Sequence, residues 1–450
     1  MGTTTRNDKA RTNRRTVLKG AAGLGAAAAL AGRGVRKTGA QEFSGRLTVW
    51  GVVSFTEEGD EVLGQQMADW GDANGVEVEY VALPGSDYTT KLATAVEAGS
   101  VPDVVMMIGD LTLFYADQDR LVDLTELYDN VKTLGGGMWD ALLPHVQADG
   151  KTYSIPMQTD VSVMYARLDL CEQVTGVREA PKTLDEMEAI AREVTEPPRQ
   201  FGIGLTCGRV PDANGQIIQL ILADGGSIVD ESGAPAINTE ATISALTRVE
   251  RWWKDGLIPQ DSPAWDDSSN NKSYQSYQSA FVFNPASIFA FLEANDPDLL
   301  AETTQAPFPA GTGGSFPTIG TWSWSVFNAS ENVDAAKALI TAIMQPEMVQ
   351  AVYEKVGGRW YPVYKDLVTA PFWAERPFFN EFPTIIENGR PLWFPAEGTP
   401  QLLTQLSAAD QKFVMADMVQ DIVVNGATPA DAAAAAQTRL EQAFAEAAGA

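Results

Sequence analysis

Any chemistry in this chain would rest mainly on carboxylates. Asp110 closes the apolar run 103–108 behind Gly109. A small residue followed by a carboxylate at a strand's carboxyl end stands where open α/β sheets bind ligands. Glu57 and Glu58 are adjacent and could work as an acid–base pair, yet two acids at the head of a helix more often favour its N-terminus electrostatically. His145 is the only histidine, and Cys171 and Cys207 are the only cysteines. That scarcity excludes Cys/His zinc clusters and leaves room for at most one histidine-based triad. The two cysteines could pair in an oxidising compartment or stay as thiols. No nucleophile motif, metal-ligand spacing or phosphate loop is present.

Binding chemistry is better provided for. Of 11 tryptophans, Trp265, Trp322, Trp360 and Trp393 stand outside helically periodic segments. Aromatic faces pack on the C–H faces of carbohydrates, while Asp, Asn and Arg hold hydroxyl pairs. The polar candidates are Asp110, Asp266, Asn284, Arg209 and Arg359. Asp212 and Asn214 join them from the loop 208–215, Gln158 from the stretch 157–160, and Ser54 and Phe55 from the turn after the first strand.

The elements that would position these residues alternate between strand and helix. Residues 45–53 read as a strand, a helix follows through Val62, Met67 and Trp70, and 76–83 alternates as a second strand. Tyr88, Leu92, Ala95 and Val96 form one helical stripe, with Asp87 as expected N-cap and Gly99 as stop. The apolar run ending at Ile108 then reads as a strand buried on both faces. Together these make a βαβαβ half-sheet. Thr183 and Glu186 are spaced as a capping box.

At 450 residues the chain exceeds what one hydrophobic core usually organises, so two lobes are expected. Residues 1–40 hold nine Lys or Arg and one Asp, leaving 23 basic and 58 acidic residues elsewhere, a net of −35. Such a surface repels phosphate backbones and disfavours nucleic acid as a partner. The basic leader contains Arg14-Arg15 and an Ala/Gly stretch too short to anchor in a bilayer, and it ends in Thr38-Gly39-Ala40. It resembles a twin-arginine export signal over 1–40, without a lipid-anchoring cysteine near the boundary.

The stretch Tyr88, Lys91, Leu92, Ala95, Gly99, Pro102, Asp103, Val104 resembles the family 1 solute-binding proteins of ABC importers. The similarity continues in order through Asp149-Gly150-Lys151-Thr152-Tyr153-Ser154-Ile155-Pro156, Pro181-Lys182-Thr183-Leu184-Asp185-Glu186 and Ala223-Asp224-Gly225-Gly226 to the last helix. Ala166 replaces the family's usual Asn, and Tyr277-Gln278-Ser279-Ala280-Phe281-Val282 stands where relatives carry F-x-x-G-x-A-A-M, without its glycine.

The resemblance implies a two-lobe α/β periplasmic-binding-protein fold (type II) with hinge connectors and a ligand cleft. It implies lobes over 41–155 with 284–345 and over 156–283 with 346–450. The implied function is a monomeric extracytoplasmic receptor that closes on a mono- or oligosaccharide and delivers it to an ABC permease, with no cofactor and no catalysis. The alternatives are a secreted glycoside-acting enzyme working through two carboxylates and a receptor for another polar solute, such as glycerol phosphate or a polyamine.

Overall fold

The computed structural model describes residues 43–54, 56–391 and 400–448, without the side chains of 85–87 and 400. The export-like leader, Phe55 and Trp393 lie outside the described residues. Residues 43–450 form one compact unit, whose described residues build two large sheets and a small hairpin pairing 147–148 with 151–152.

The first half-sheet runs β1 (Gly45–Val52), α1 (Glu57–Asn74), β2 (Val76–Leu83), α2 (Gly85–Ala98), β3 (Val104–Ile108) and α3 (Gly109–Asp117). Thr56 caps α1 by accepting from the Gly59 N–H, three acids occupy its first turn, and Gly75 ends it in the left-handed conformation. α2 starts at Gly85 behind Pro84, two residues ahead of the expected Asp87 cap, and stops at Gly99 (φ 66°). Tyr88 and Leu92 are buried against the sheet, and the Tyr88 hydroxyl donates to the Met106 carbonyl.

The chain continues through β4 (Ile155–Val161), β5 (Val163–Arg167), α4 (Leu184–Val194), β6 (Phe201–Ile203), α5 (Pro211–Ala223), α6 (Glu240–Lys254), α7 (Ser269–Gln275) and β7 (Ser279–Asn284). It then forms α8 (Ser287–Asn295), β8 (Thr303–Ala306), β9 (Thr318–Val326), α9 (Val333–Ile343), α10 (Pro346–Lys355) and β10 (Arg390–Pro391). α11 (Pro400–Gln411), α12 (Val414–Val423) and α13 (Pro429–Ala448) complete it. The capping box at the head of α4 forms as its Thr–x–x–Glu spacing requires.

The first sheet has strand order β10-β9-β3-β1-β2, with β4 also paired to β9. β1 runs parallel to β2 and β3, while β9 runs antiparallel to β3 and β4. Val104 to Met107 are fully buried, as a strand covered on both faces must be, and Ile108 opens to 38 % exposure at its carboxyl end. The second sheet has order β8-β5-β7-β6 and packs its own core, to which α4, α5, α6 and α11 to α13 contribute.

The lobe borders differ from those expected. β4, up to Val161, still pairs with β9, and Val163 pairs with Asn284 in the second sheet, so the chain passes between sheets at Ser162. Asn284 does not lead back to the first sheet. Pro285 and α8 turn the chain so that β8 returns antiparallel on β5, and the second passage is the loop 307–317. Residues 349–386 pack with the first core, not the second, and β10 still pairs with β9 in the first sheet, whereas α11 belongs to the second core. The Ser162 N–H donates to the Thr318 carbonyl at 3.2 Å, so two of the passages lie side by side.

Candidate functional site

Above those paired connectors, between the lobes, lies a cavity of about 260 Å³. Ser162 contributes to its lining from the first connector, and Thr318 from the first residue of β9, just after the second. The first lobe supplies Ile108, Gly109 and Asp110 from the end of β3, Asp160 from β4, and Ile319 and Gly320 from β9. The second lobe supplies Pro211, Asp212, Gln216 and Gln219 from α5, Phe283 and Asn284 from β7, and Asp410 from α11. Gly109 lets His145 come close: a Cβ there would meet the imidazole at 2.8 Å.

Four carboxylates therefore face one cavity. Each is held by neutral donors. Asp110, in the first turn of α3, takes backbone N–H groups and the Ser407 hydroxyl of α11. Asp160 accepts from the Gln158 amide at 3.1 Å, Asp212 from Asn270 at 3.0 Å, and Asp410 from Asn214 at 2.8 Å. Removal from water disfavours their charged forms. Burial, with Asp267 adding repulsion, pushes the Asp212 carboxyl up to about 8. Burial also raises Asp110 and Asp410, and the Asp110 charge raises Asp410 further. Asp160 is raised by burial against the opposing pull of the Arg359 guanidinium. Burial holds the His145 imidazole down at about 4, so it is neutral at pH 7.

Of the residues singled out from sequence, Asp110, Asp212 and Asn284 line this cavity. Several others have different work. Asn214 donates to Asp410 and accepts from the Ala416 N–H. Arg209 is drawn to the surface by Asp417 and the Lys412 carbonyl, each at 2.8 Å, and stacks over Phe413. Asp266 folds back on Ser268 and Ser269 to start α7, and those bonds hold its carboxyl at about 2.

Of the tryptophans read as sugar platforms, the described ones, Trp265, Trp322 and Trp360, are not among the residues lining the cavity. Trp265 and Trp360 are buried in packing, and Trp322 sits edge-on to Tyr88 at 5.9 Å. Ser54 is buried and binds Asp60 and Thr56. Arg359 donates to the Ser54 carbonyl at 3.1 Å and reaches Asp160 and Asp212 through its charge. Gln158 acts through Asp160. Cys171 and Cys207 are both buried free thiols.

Asp160 was read only as part of the stretch 157–160 beside the cleft, which the lining bears out, and Asp410 was not singled out. Asp410 had a signal: it falls four residues after Leu406 on the buried stripe of α11, where a carboxylate needs a reason to be. Among the described residues no group of three or more His, Cys, Asp or Glu side chains could hold a metal ion. No helix among them is long and apolar enough to cross a membrane.

Residues 65–381 match the family model of the bacterial extracellular solute-binding protein. A probable ABC transporter-binding protein of Deinococcus radiodurans is 26 % identical over 329 residues, covering 68 % of this chain and 75 % of the relative. The maltodextrin-binding protein MdxE of Bacillus subtilis is 24 % identical over 286 residues, covering 58 % of this chain and 63 % of the relative. Maltose-bound MalE3 of T. maritima superposes with a TM-score of 0.76 at 22 % identity, covering 88 % of this chain and 99 % of that one. The two-lobe architecture is that of the sugar-binding structures.

Proposed function

The chain belongs to the bacterial extracellular solute-binding protein family, and on that premise we propose that it is the extracytoplasmic receptor of an ABC importer and binds a carbohydrate between its lobes. The observation that carries this reading is the position of the cavity: both lobes line it, and the connectors between them form its base. A solute touching both walls favours the closed arrangement only through its differential affinity for that state. Asp110 and Asp160 would hold it from the first lobe, and Asp212, Asn284 and Asp410 from the second. Carboxylates and amides accept and donate to sugar hydroxyls, while Ile108, Ile319 and Phe283 offer apolar surface to ring faces.

The closed form would then dock on the permease as a monomer. Residues 1–40 would direct export by the twin-arginine route. No catalytic step is required by this reading, and the relative from Bacillus subtilis is a maltodextrin-binding protein.

A thermal-shift panel tests it, using the full chain with maltose, maltotriose, laminaribiose, ribitol, spermidine and glycerol 3-phosphate. A carbohydrate should raise the melting temperature in proportion to the logarithm of its concentration above Kd. No shift with any member, together with turnover of a glycoside, would replace the receptor with an enzyme.

A further inference from the structure

We propose that the solute held in this cleft carries a protonated amine on a polyhydroxylated body, that is, an amino carbohydrate. The inference rests on the receptor reading above and deepens it. The cavity is the binding site by its place between the lobes, and its charge decides what fits.

Four acidic side chains line the cavity from four elements, α3, β4, α5 and α11, and among the described residues neither Lys nor Arg lines it. The donors that already reach these carboxylates are amides, a hydroxyl and backbone N–H groups. The nearby cation is Arg359, whose charge reaches Asp160, Asp60 and Asp212. His145 is held neutral and contributes no compensating charge, while Asp267 adds a further acid beside Asp212. The acids outnumber the cation beside them, and in the empty cleft protons on Asp212 and Asp410 offset that excess; an ammonium can take the place of those protons and pair with the carboxylates, which a neutral guest cannot.

A metal ion is a poor answer to that excess, because among the described residues no three such ligands converge. Carboxylates spread over both walls suit an extended organic cation. An ammonium offers three donors and replaces neutral hydrogen bonds with charge-assisted ones. The apolar groups Ile108, Phe283 and Ile319 line the same cavity and favour a body with C–H faces over a bare polyamine chain. In the empty cleft burial keeps Asp212 and Asp410 protonated near neutral pH, so an incoming ammonium would displace protons.

Titration calorimetry on the full chain at pH 7 tests this with glucosamine and the β-1,4 glucosamine disaccharide against glucose, cellobiose and spermidine. An amino sugar should bind at least about tenfold more tightly than its neutral isostere. Its enthalpy should change with the ionisation enthalpy of the buffer, because protons leave the cleft. Asp410→Asn should reduce the preference for the amine to about twofold or less; if that variant misfolds, the buffer dependence measured on the parent decides alone. A neutral sugar binding as tightly as its amino analogue, or amine binding without proton release, overturns the inference and leaves the receptor intact. Spermidine binding while no carbohydrate does would overturn the carbohydrate body here and in the receptor reading together. No binding by any of the five overturns the inference.

Discussion

Asn214 donates its side-chain amide to both the carboxylate and the carbonyl of Asp410, at 2.8 and 2.9 Å. It is fully buried, and its Oδ1 accepts from the Ala416 N–H at 2.9 Å. One side chain on α5 thus fixes where α11 ends and α12 begins, and it aims a carboxylate at the cleft. Asn214→Ala removes these bonds and leaves a buried N–H at 416 without its acceptor, at a cost of about 2–4 kcal/mol. Urea unfolding should show a midpoint shift of that size with the slope unchanged. A loss below about 0.5 kcal/mol would contradict this role.

Asp103 makes a comparable knot at the opposite end of β3 from the cavity. It accepts from the Thr48 N–H at 2.8 Å, the Thr48 hydroxyl at 3.1 Å and the Ser330 hydroxyl at 2.6 Å. The carboxylate ties β1, the entry to β3 and the turn after β9. Asp103→Ala should destabilise by about 2–4 kcal/mol, with the Kd of any bound solute within twofold of the parent. A large change in Kd at unchanged stability would mean that Asp103 acts on the cleft.

Stability should fall as pH rises across the neutral range. Asp212, pushed to about 8, and Asp110, Asp160 and Asp410, also raised, bind protons more tightly in the folded chain than in the unfolded one. Their contribution is fully present below the unfolded value of about 4 and is lost as pH climbs to about 8. Glu188, lowered to about 2 against its own burial by hydrogen bonds from Arg251, Arg192 and Trp252, acts oppositely and only below about pH 4. The ligand-free melting temperature should therefore be higher at pH 6 than at pH 8, and Asp212→Asn should flatten that slope. A rise in melting temperature from pH 6 to pH 8 would refute the assignment.

Hinge motion has its own signature. The passages at Ser162 and at 307–317 meet through the Ser162–Thr318 bond, and rotation about them would narrow the cavity above. Small-angle scattering should show a smaller radius of gyration at saturating solute than without it. An unchanged radius with solute demonstrably bound would leave the protein a rigid binder.

Much of this was readable from residues alone, where the physics is local. The capping box at Thr183 and Glu186, the stop at Gly99 and the doubly buried strand before Asp110 follow from backbone and burial rules within a few residues. The lobe borders were not local. Asn284-Pro285 has the composition of a crossing, and only the pairing of β8 with β5 reveals that the chain stays in the second sheet. The tryptophans misled for a related reason, since Trp265 and Trp360 sit in irregular segments that are nevertheless buried. Asp410 lies 300 residues from Asp110 in sequence, and no spacing rule connects two walls brought together by folding.

The central claim is that the space between Asp110 and Asp410 holds the solute. Gly320 lines that space, and a Cβ added there meets nothing nearer than Asp160 at 3.9 Å. Gly320→Tyr should therefore fold and put its ring where the guest belongs. Calorimetric titration of parent and variant with the carbohydrate that gives the largest thermal shift is the direct measurement. The predicted result is a parent that binds and a folded variant whose affinity is at least about a hundredfold weaker, near 3 kcal/mol. A folded variant that binds with the parent's affinity would show that the solute lies elsewhere.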